Sequence, residues 1–190
     1  MTLFELLTNL ECTLLDWKYE NALLGAAESW VRKGEGAEQK VCAVYDLNTI
    51  YAMLGIEGKS EAQAKEIIMS EMMKPDIHFL HTSLEQDQRA ELDAFCEKHE
   101  CHNILLANFL DDALIGIAAR YRQDQPTAYY CIYDKEKIID SLMNEDGMEF
   151  DEANEYAAFN IYGGFVGNDD SPMPIFVENT EALEFFLISD

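Results

Sequence analysis

The sequence predicts an α+β fold of two related modules, each a small antiparallel sheet packed on two or three helices. Three observations predict it. The chain has 190 residues, which suits one large domain or two small ones. Hydrophobic residues make up 48% of it, enough to build a core. The two halves also repeat the same motifs in the same order. The expected modules are 1–82 and an acidic 83–190.

The repeat is carried by two pairs of motifs. Asn21-Ala-Leu-Leu-Gly25 matches Asp112-Ala-Leu-Ile-Gly116, and Val44-Tyr45-Asp46 matches Ile132-Tyr133-Asp134. Both matches fall at an offset of about 90 residues, and matches that stay collinear are typical of repeated units. Each half is therefore expected to contain the same elements.

The first expected element of each half is a helix, followed by three strands. Apolar residues at helical spacing predict the helices: Leu3, Leu6, Leu7 and Leu10, then Leu92, Phe95, Cys96 and His99. A short strand is expected next, at 12–15 and at 102–106. Two strands joined by a turn follow, because aromatic and β-branched residues cluster there: 22–30 with 41–45, and 113–121 with 128–133.

Two helices and a last strand complete each half. Asp46 and Asp134 stand where a strand ends, and their carboxylates suit the N-cap of a helix. A capping-box pattern at 60–63 predicts the second helix, whose counterpart begins at 149–151. Short apolar strands, Ile77–Leu80 and Ile175–Val177, end the halves. The sequence leaves open whether the two sheets join.

The net charge of the chain restricts the kinds of molecule that it is expected to bind. The chain has 37 acidic and 13 basic residues, a formal charge of −24. Such a field repels phosphate backbones and anionic lipid, so direct binding to nucleic acid or membrane is not expected. No apolar run approaches the roughly 20 residues that span a bilayer. The amino terminus lacks a basic leader, so we expect a cytosolic protein with reduced thiols.

The acidic residues are unevenly distributed. Residues 81–190 contain 24 acidic and six basic residues, a net charge of −18, and residues 138–190 contain 13 acidic residues without a Lys, Arg or His. One explanation is that an acidic surface serves only to keep the protein soluble. Closely spaced carboxylates can also imitate a nucleic-acid backbone and attract a basic protein surface. The expected partner-binding residues are Asp146, Glu149, Asp151, Glu152, Glu155, Asp169 and Asp170, with Tyr162 and Phe165 as aromatic anchors.

Recognisable catalytic and metal-binding motifs are missing from the sequence. Cys96, His99, Cys101 and His102 are close together, but zinc ligands usually come as separated pairs, so no metal site is expected. There is no nucleophile elbow, HExxH motif or phosphate-binding loop. We therefore expect no catalytic residue and no cofactor. Core packing is the simplest explanation of the aromatic series Tyr156, Phe159, Tyr162 and Phe165, and a Tyr162 or Phe165 that is exposed beside the acidic residues would be the anchor of an interface.

The second half resembles a group of small acidic proteins encoded by bacteriophages and bacterial mobile elements. The resemblance is carried by these residues: Asp112 to Gly116, Ile132 to Asp134, Leu142, Asp146 to Met148, Glu152-Ala153, Phe159-Asn160, Gly167 and Pro174 to Phe176. It implies a phage or prophage setting, where acidic proteins often inhibit host nucleic-acid-binding systems. In this pattern Phe159 is expected to be buried and Asn160 to tie down the helix exit.

The predicted function is that of a non-enzymatic acidic binding protein, specifically a phage-encoded nucleic-acid mimic that inhibits a host defence or nucleic-acid-binding protein. One alternative is an oligomerising assembly module, for which a homodimer is the simplest form. A second alternative is a metal-dependent enzyme that uses clustered carboxylates.

Overall fold

Six strands form one closed barrel in the computed structural model, which describes residues 2–9, 11–33, 36–72, 77–101, 104–107, 109–121, 126–164 and 173–178. The strands are β1 (Leu23–Lys33), β2 (Gly36–Asp46), β3 (His78–Ser83), β4 (Leu114–Arg120), β5 (Ala128–Asp134) and β6 (Ile175–Glu178). The helices are α1 (Leu3–Asn9), α2 (Leu47–Leu54), α3 (Glu61–Met72), α4 (Gln88–His99), α5 (Lys135–Glu145) and α6 (Phe150–Tyr156). Two 3₁₀ segments, Trp17–Ala22 and Asp111–Ala113, precede β1 and β4, and α6 continues as a π-helix over Ala157–Tyr162.

The predicted fold class, with one small sheet per module, is wrong. Each half contributes an antiparallel hairpin and a third strand parallel to the second strand of that hairpin. The third strand then pairs with the other half, β3 antiparallel to β4 and β6 antiparallel to β1. Two separate three-stranded sheets would leave four exposed edges, and this exchange pairs each of them with a strand of the other half over part of its length.

Most of the predicted elements are confirmed by the structure. The helices at both sets of apolar stripes, the two hairpins and the short closing strands are present. Asp46 accepts hydrogen bonds from the backbone N–H of Asn48 and Thr49, and Asp134 does the same for Glu136 and Lys137. The capping box at 60–63 forms both of its reciprocal bonds.

The short strands predicted at 12–15 and 102–106 are wrong for the residues that the structure describes. Residues 12–15 and 104–106 belong to no helix or strand, and 102–103 lie outside the described residues. Their apolar side chains pack into the core of each half instead, Leu14 and Leu15 in the first half and Ile104 and Leu106 in the second. Each segment is held by a tyrosine hydroxyl, with Leu15 N–H donating to Tyr45 and Ala107 N–H donating to Tyr133.

The two halves repeat one another in backbone detail. Glu11 and Glu100, the residues just after α1 and α4, both adopt left-handed conformations, with φ of 55° and 54°. The next residue, Cys12 or Cys101, donates its N–H back to the helix at 3.1 Å in both halves. A non-glycine residue is uncommon in this region of φ, so its recurrence at equivalent places shows that the halves share one local design.

In the part of the chain that the structure describes, buried apolar residues form three clusters. One consists of strand residues that alternate with those facing the helices, and it packs inside the barrel: Ala27, Cys42, Val44, Ala118, Tyr130, Ile132 and Ile175. The other two lie between the barrel wall and the helices, one in each half. Tyr45 with Phe79, and Tyr133 with Phe176, occupy equivalent places in these outer clusters.

Candidate functional site

Five of the predicted partner-binding residues lie together from the end of α5 through α6. Asp146 follows α5, Glu149 precedes α6, and Asp151, Glu152 and Glu155 lie on α6. All five side chains are exposed. We call these five residues the acidic segment. Asp169, Asp170 and Phe165 fall outside the described residues.

Tyr162 lies at the end of the π-helix and is half-buried. Its ring packs against that of Phe176 with the centroids 4.9 Å apart, and the Nζ atom of Lys135 lies 4.8 Å from its centroid. Tyr162 therefore connects the π-helix to the barrel wall.

Two other aromatic residues of the same series face solvent. Phe159 is 74% exposed and Tyr156 is 43% exposed, so core packing is wrong for both, as is the expected burial of Phe159. Ala153, Ala157 and Ile161, spaced by four residues, take the core side instead. The side-chain amide of Asn160 donates to the Tyr156 carbonyl at 3.1 Å, so this bond lies within the helix, one turn back, and not at its exit.

A groove of about 640 Å³ opens beside the acidic segment. One wall is the segment before β4, where Leu105, Leu106 and Phe109 lie. The opposite walls are the last turns of α5 and the helix from Tyr156 to Gly164. Its floor is apolar and belongs to the core, since Leu142, Met173 and Phe176 are each 5% exposed or less. The volume is typical of pockets that bind small molecules or anchoring side chains.

The groove is acidic at its mouth. Glu145 and Asp146, both exposed, lie on its α5 wall. The described segments that contribute its lining, 105–107, 109–110, 141–164 and 173–176, contain six acidic residues and no Lys, Arg or His. Tyr156 and Asn160 lie on the facing wall, and Glu152, four residues before Tyr156, shares their side of the helix. The groove thus combines an apolar floor with a negatively charged rim.

Phe109 is the least expected residue at this groove. Its backbone is left-handed, with φ of 65°, and its side chain is 91% exposed. Both features cost free energy. A non-glycine residue in this conformation is strained, and an exposed aromatic ring forgoes the stabilisation that burial of its apolar surface would give. The available sequence signal was an isolated aromatic residue next to the polar run at 111–112, which is too weak to single it out.

The wall that carries Phe109 is fixed from beneath by Tyr133. The Tyr133 hydroxyl accepts the hydrogen bond from Ala107 at 3.1 Å, and its ring is fully buried. Burial raises the pKa of Tyr133 above its ordinary value, because the phenolate would lose its hydration. The neutral hydroxyl is the acceptor of the Ala107 N–H, and this bond ties the segment before β4 to β5.

The cysteine and histidine cluster weighed for metal binding is divided in the structure. Cys96 and Cys101 are near one another at the end of α4, and burial, with the neighbouring Cys96, raises the pKa of the Cys101 thiol to about 12. His99 instead stacks on Phe95, with centroids 4.2 Å apart, and His102 lies outside the described residues. Among the residues that the structure describes, no three His, Cys, Asp or Glu side chains form a metal-binding group.

No protein-family model, curated protein sequence or solved structure matches this chain. In the described part of the chain, no helix has both the length and the apolar character to cross a membrane.

Proposed function

We propose that this chain is a non-enzymatic acidic binding protein that occupies the basic surface of a nucleic-acid-binding or host defence protein. The observation that carries the proposal is the acidic segment, whose five carboxylates are all exposed over ten residues of chain. They lie in a 53-residue stretch, 138–190, that has no basic residue to neutralise them.

Electrostatics explains why such a surface attracts a nucleic-acid-binding protein. Duplex DNA presents one negative charge per roughly 1.7 Å of axis, and its partners neutralise that charge with clustered Lys and Arg. A module of net charge −18 offers the same sign at high density. Long-range attraction accelerates encounter with a basic groove, and the bound module then excludes nucleic acid from it.

The proposed setting is the cytosol of a bacterium that carries a phage or prophage. Support comes from the resemblance of the second half to small acidic phage proteins, through Asp112 to Gly116 and Ile132 to Asp134. In that setting a protein that blocks a DNA-binding or RNA-binding host protein protects the mobile element.

Two variants with equal charge test the proposal by capture from bacterial lysate. In the five-amide variant the acidic segment is neutralised: Asp146→Asn, Glu149→Gln, Asp151→Asn, Glu152→Gln and Glu155→Gln. In the control-five variant five exposed acids elsewhere are neutralised: Glu11→Gln, Glu20→Gln, Glu57→Gln, Glu66→Gln and Glu85→Gln. Both variants lose the same net charge, so only the position of that charge differs between them.

Wild type and the control-five variant are expected to retain a basic protein that about 0.5 M NaCl or excess duplex DNA releases. The five-amide variant is expected to retain much less of it. Equal capture by both variants, or a captured protein that salt and DNA do not release, contradicts the proposal.

Self-association is the second candidate function, and the exposed aromatic residues favour it. Phe109 and Phe159 are 91% and 74% exposed, as at an uncovered interface. A dimer would bring two charges of −24 together, which opposes it at low salt. Sedimentation velocity at several concentrations separates the candidates, since an assembly module shifts to a larger species and a monomeric inhibitor does not.

A further inference from the structure

We propose that the groove beside the acidic segment receives one bulky apolar side chain, Leu, Met or Phe, from a Lys- and Arg-rich segment of the partner protein. This inference rests on the proposed function and names the chemistry of the partner at the contact. The acidic segment supplies attraction, and the groove supplies a specific anchor.

The floor of the groove requires an apolar occupant. Leu142, Met173 and Phe176 lie at its base and are almost fully buried. An apolar side chain that enters from solvent removes its own surface and that of the floor from water. A charged or strongly polar group placed there would lose hydration without compensation.

The negatively charged rim favours an apolar side chain that has basic residues next to it in the partner's sequence. Glu145 and Asp146 are on one side of the mouth, and Glu152 shares the helix side with Tyr156 on the other. Lys or Arg residues that flank the anchoring side chain would meet carboxylates on both walls. A nucleic acid is repelled by this rim, and a second copy of this chain brings the same negative charge to it.

Phe109 supports an occupied groove for a separate reason. Its left-handed backbone holds an almost fully exposed ring at the mouth, an arrangement that costs stability. Binding would offset this cost if the ring packed against a bound side chain, because the apolar surface of the ring would then also be removed from water. The adjoining π-helix, Ala157–Tyr162, is a second irregular element, of a kind frequently found at functional sites.

Two synthetic peptides serve as probes. The first is Lys-Arg-Lys-Phe-Lys-Arg-Lys with a fluorescent label, and the second has Ser in place of Phe. Their charge is identical, so the ratio of their dissociation constants reports the apolar anchor alone. For wild type in about 0.15 M NaCl, we expect the Phe peptide to bind about tenfold more tightly than the Ser peptide.

Three substitutions test where the anchor binds. Phe109→Gly is expected to bring the ratio close to one and also to raise the melting temperature, since glycine adopts this backbone conformation without strain. Ser141→Trp, which fills the groove from α5, is expected to abolish the preference without weakening binding of the Ser peptide. Trp17→Ser, an exposed aromatic residue of the first half, is the matched control and should leave the ratio unchanged.

The outcomes separate this inference from the proposed function. The five-amide variant should bind both peptides weakly and keep their ratio, because the groove is intact. A ratio close to one in wild type overturns the groove proposal even if both peptides bind through the acidic segment. The proposal is also overturned if Phe109→Gly and Ser141→Trp both keep the full preference for the Phe peptide. A concentration-dependent dimer that Phe109→Gly abolishes overturns it too, since the groove would then hold a second copy of this chain.

Discussion

The hydroxyl of Tyr133 accepts a hydrogen bond from the backbone N–H of Ala107 at 3.1 Å, and Tyr45 accepts the equivalent bond from Leu15 at 3.0 Å. Both tyrosines come from the strand that precedes an aspartate N-cap. Each hydroxyl fixes the irregular segment that precedes the 3₁₀ turn and the hairpin of its half. In the second half this segment is a wall of the groove, so the bond of Tyr133 links barrel stability to the proposed site.

Removing that bond should affect both stability and binding. Tyr133→Phe leaves the N–H of Ala107 without its acceptor, and we expect a loss of about 1–2 kcal/mol in the free energy of unfolding. Tyr45→Phe should cost a similar amount, but only Tyr133→Phe should weaken the Phe peptide relative to the Ser peptide. Urea unfolding and peptide titration measure the two effects, and equal binding effects of both variants would contradict the assigned role of Tyr133.

Alkaline pH should destabilise the protein through Tyr45. Burial raises the pKa of Tyr45 to about 12, against an ordinary value of 10.0. The folded state therefore holds this proton more tightly than the unfolded chain does. Its stabilising contribution is complete below about pH 10 and is lost as pH rises toward 12. The stability of Tyr45→Phe should fall less steeply over this range, as urea unfolding at successive pH values can show, and parallel curves would refute the assignment.

Gly116, the last residue of the Asp112-Ala-Leu-Ile-Gly116 motif, should not tolerate a side chain. An added Cβ would lie 2.8 Å from both the Cδ1 atom of Leu80 and the carbonyl oxygen of Thr82. We expect Gly116→Ala to lower the free energy of unfolding by about 1–3 kcal/mol, because β3 cannot move without opening the barrel. Gly147→Ala separates steric contact from backbone strain, because it meets no neighbour within 4 Å and its φ of 69° alone should cost about 1 kcal/mol. A Gly116→Ala protein as stable as wild type would contradict the close approach of β3 and β4.

Cys131 should resist alkylation while the protein is folded. It is fully buried in the barrel wall, and burial raises the pKa of its thiol well above the ordinary range. The thiolate is the reactive form, so iodoacetamide at neutral pH should modify Cys131 only in urea. Mass spectrometry of digests from folded and unfolded protein measures this. Rapid labelling of the folded protein would show that the wall opens.

Local sequence signals predicted the elements well, because their causes are local. Asp46 and Asp134 cap helices through their own side chains, and the hairpins follow from the composition of 22–45 and 113–133. Closure of the barrel depends on pairs such as Leu80 with Ala118, whose strands belong to different halves. No short-range pattern encodes that pairing. The brief, wholly apolar strand at 175–177 was the available clue, since strands buried on both faces look this way.

The groove was harder to predict than the acidic segment for a similar reason. Acidic residues in a base-free stretch are visible in the sequence, and exposure of carboxylates is their ordinary state. The groove needs Leu105, Leu106 and Phe109 to lie opposite the helix from Tyr156 to Gly164, and these two parts of its lining are far apart in the sequence. The exposed Phe159 was missed because a three-residue aromatic spacing looks like a buried stripe, whereas the alanines at 153 and 157 take the core positions.

Titration of the Ser peptide against the two charge-matched variants shows whether the acidic segment is the surface that binds a basic partner. The dissociation constant is measured by fluorescence anisotropy over a series of NaCl concentrations for wild type, the five-amide variant and the control-five variant. We expect the five-amide variant to lose about tenfold or more in affinity and much of its salt dependence, while the control-five variant stays close to wild type. Equal losses in both variants would show that net charge alone attracts the peptide and that the acidic segment is not a binding surface.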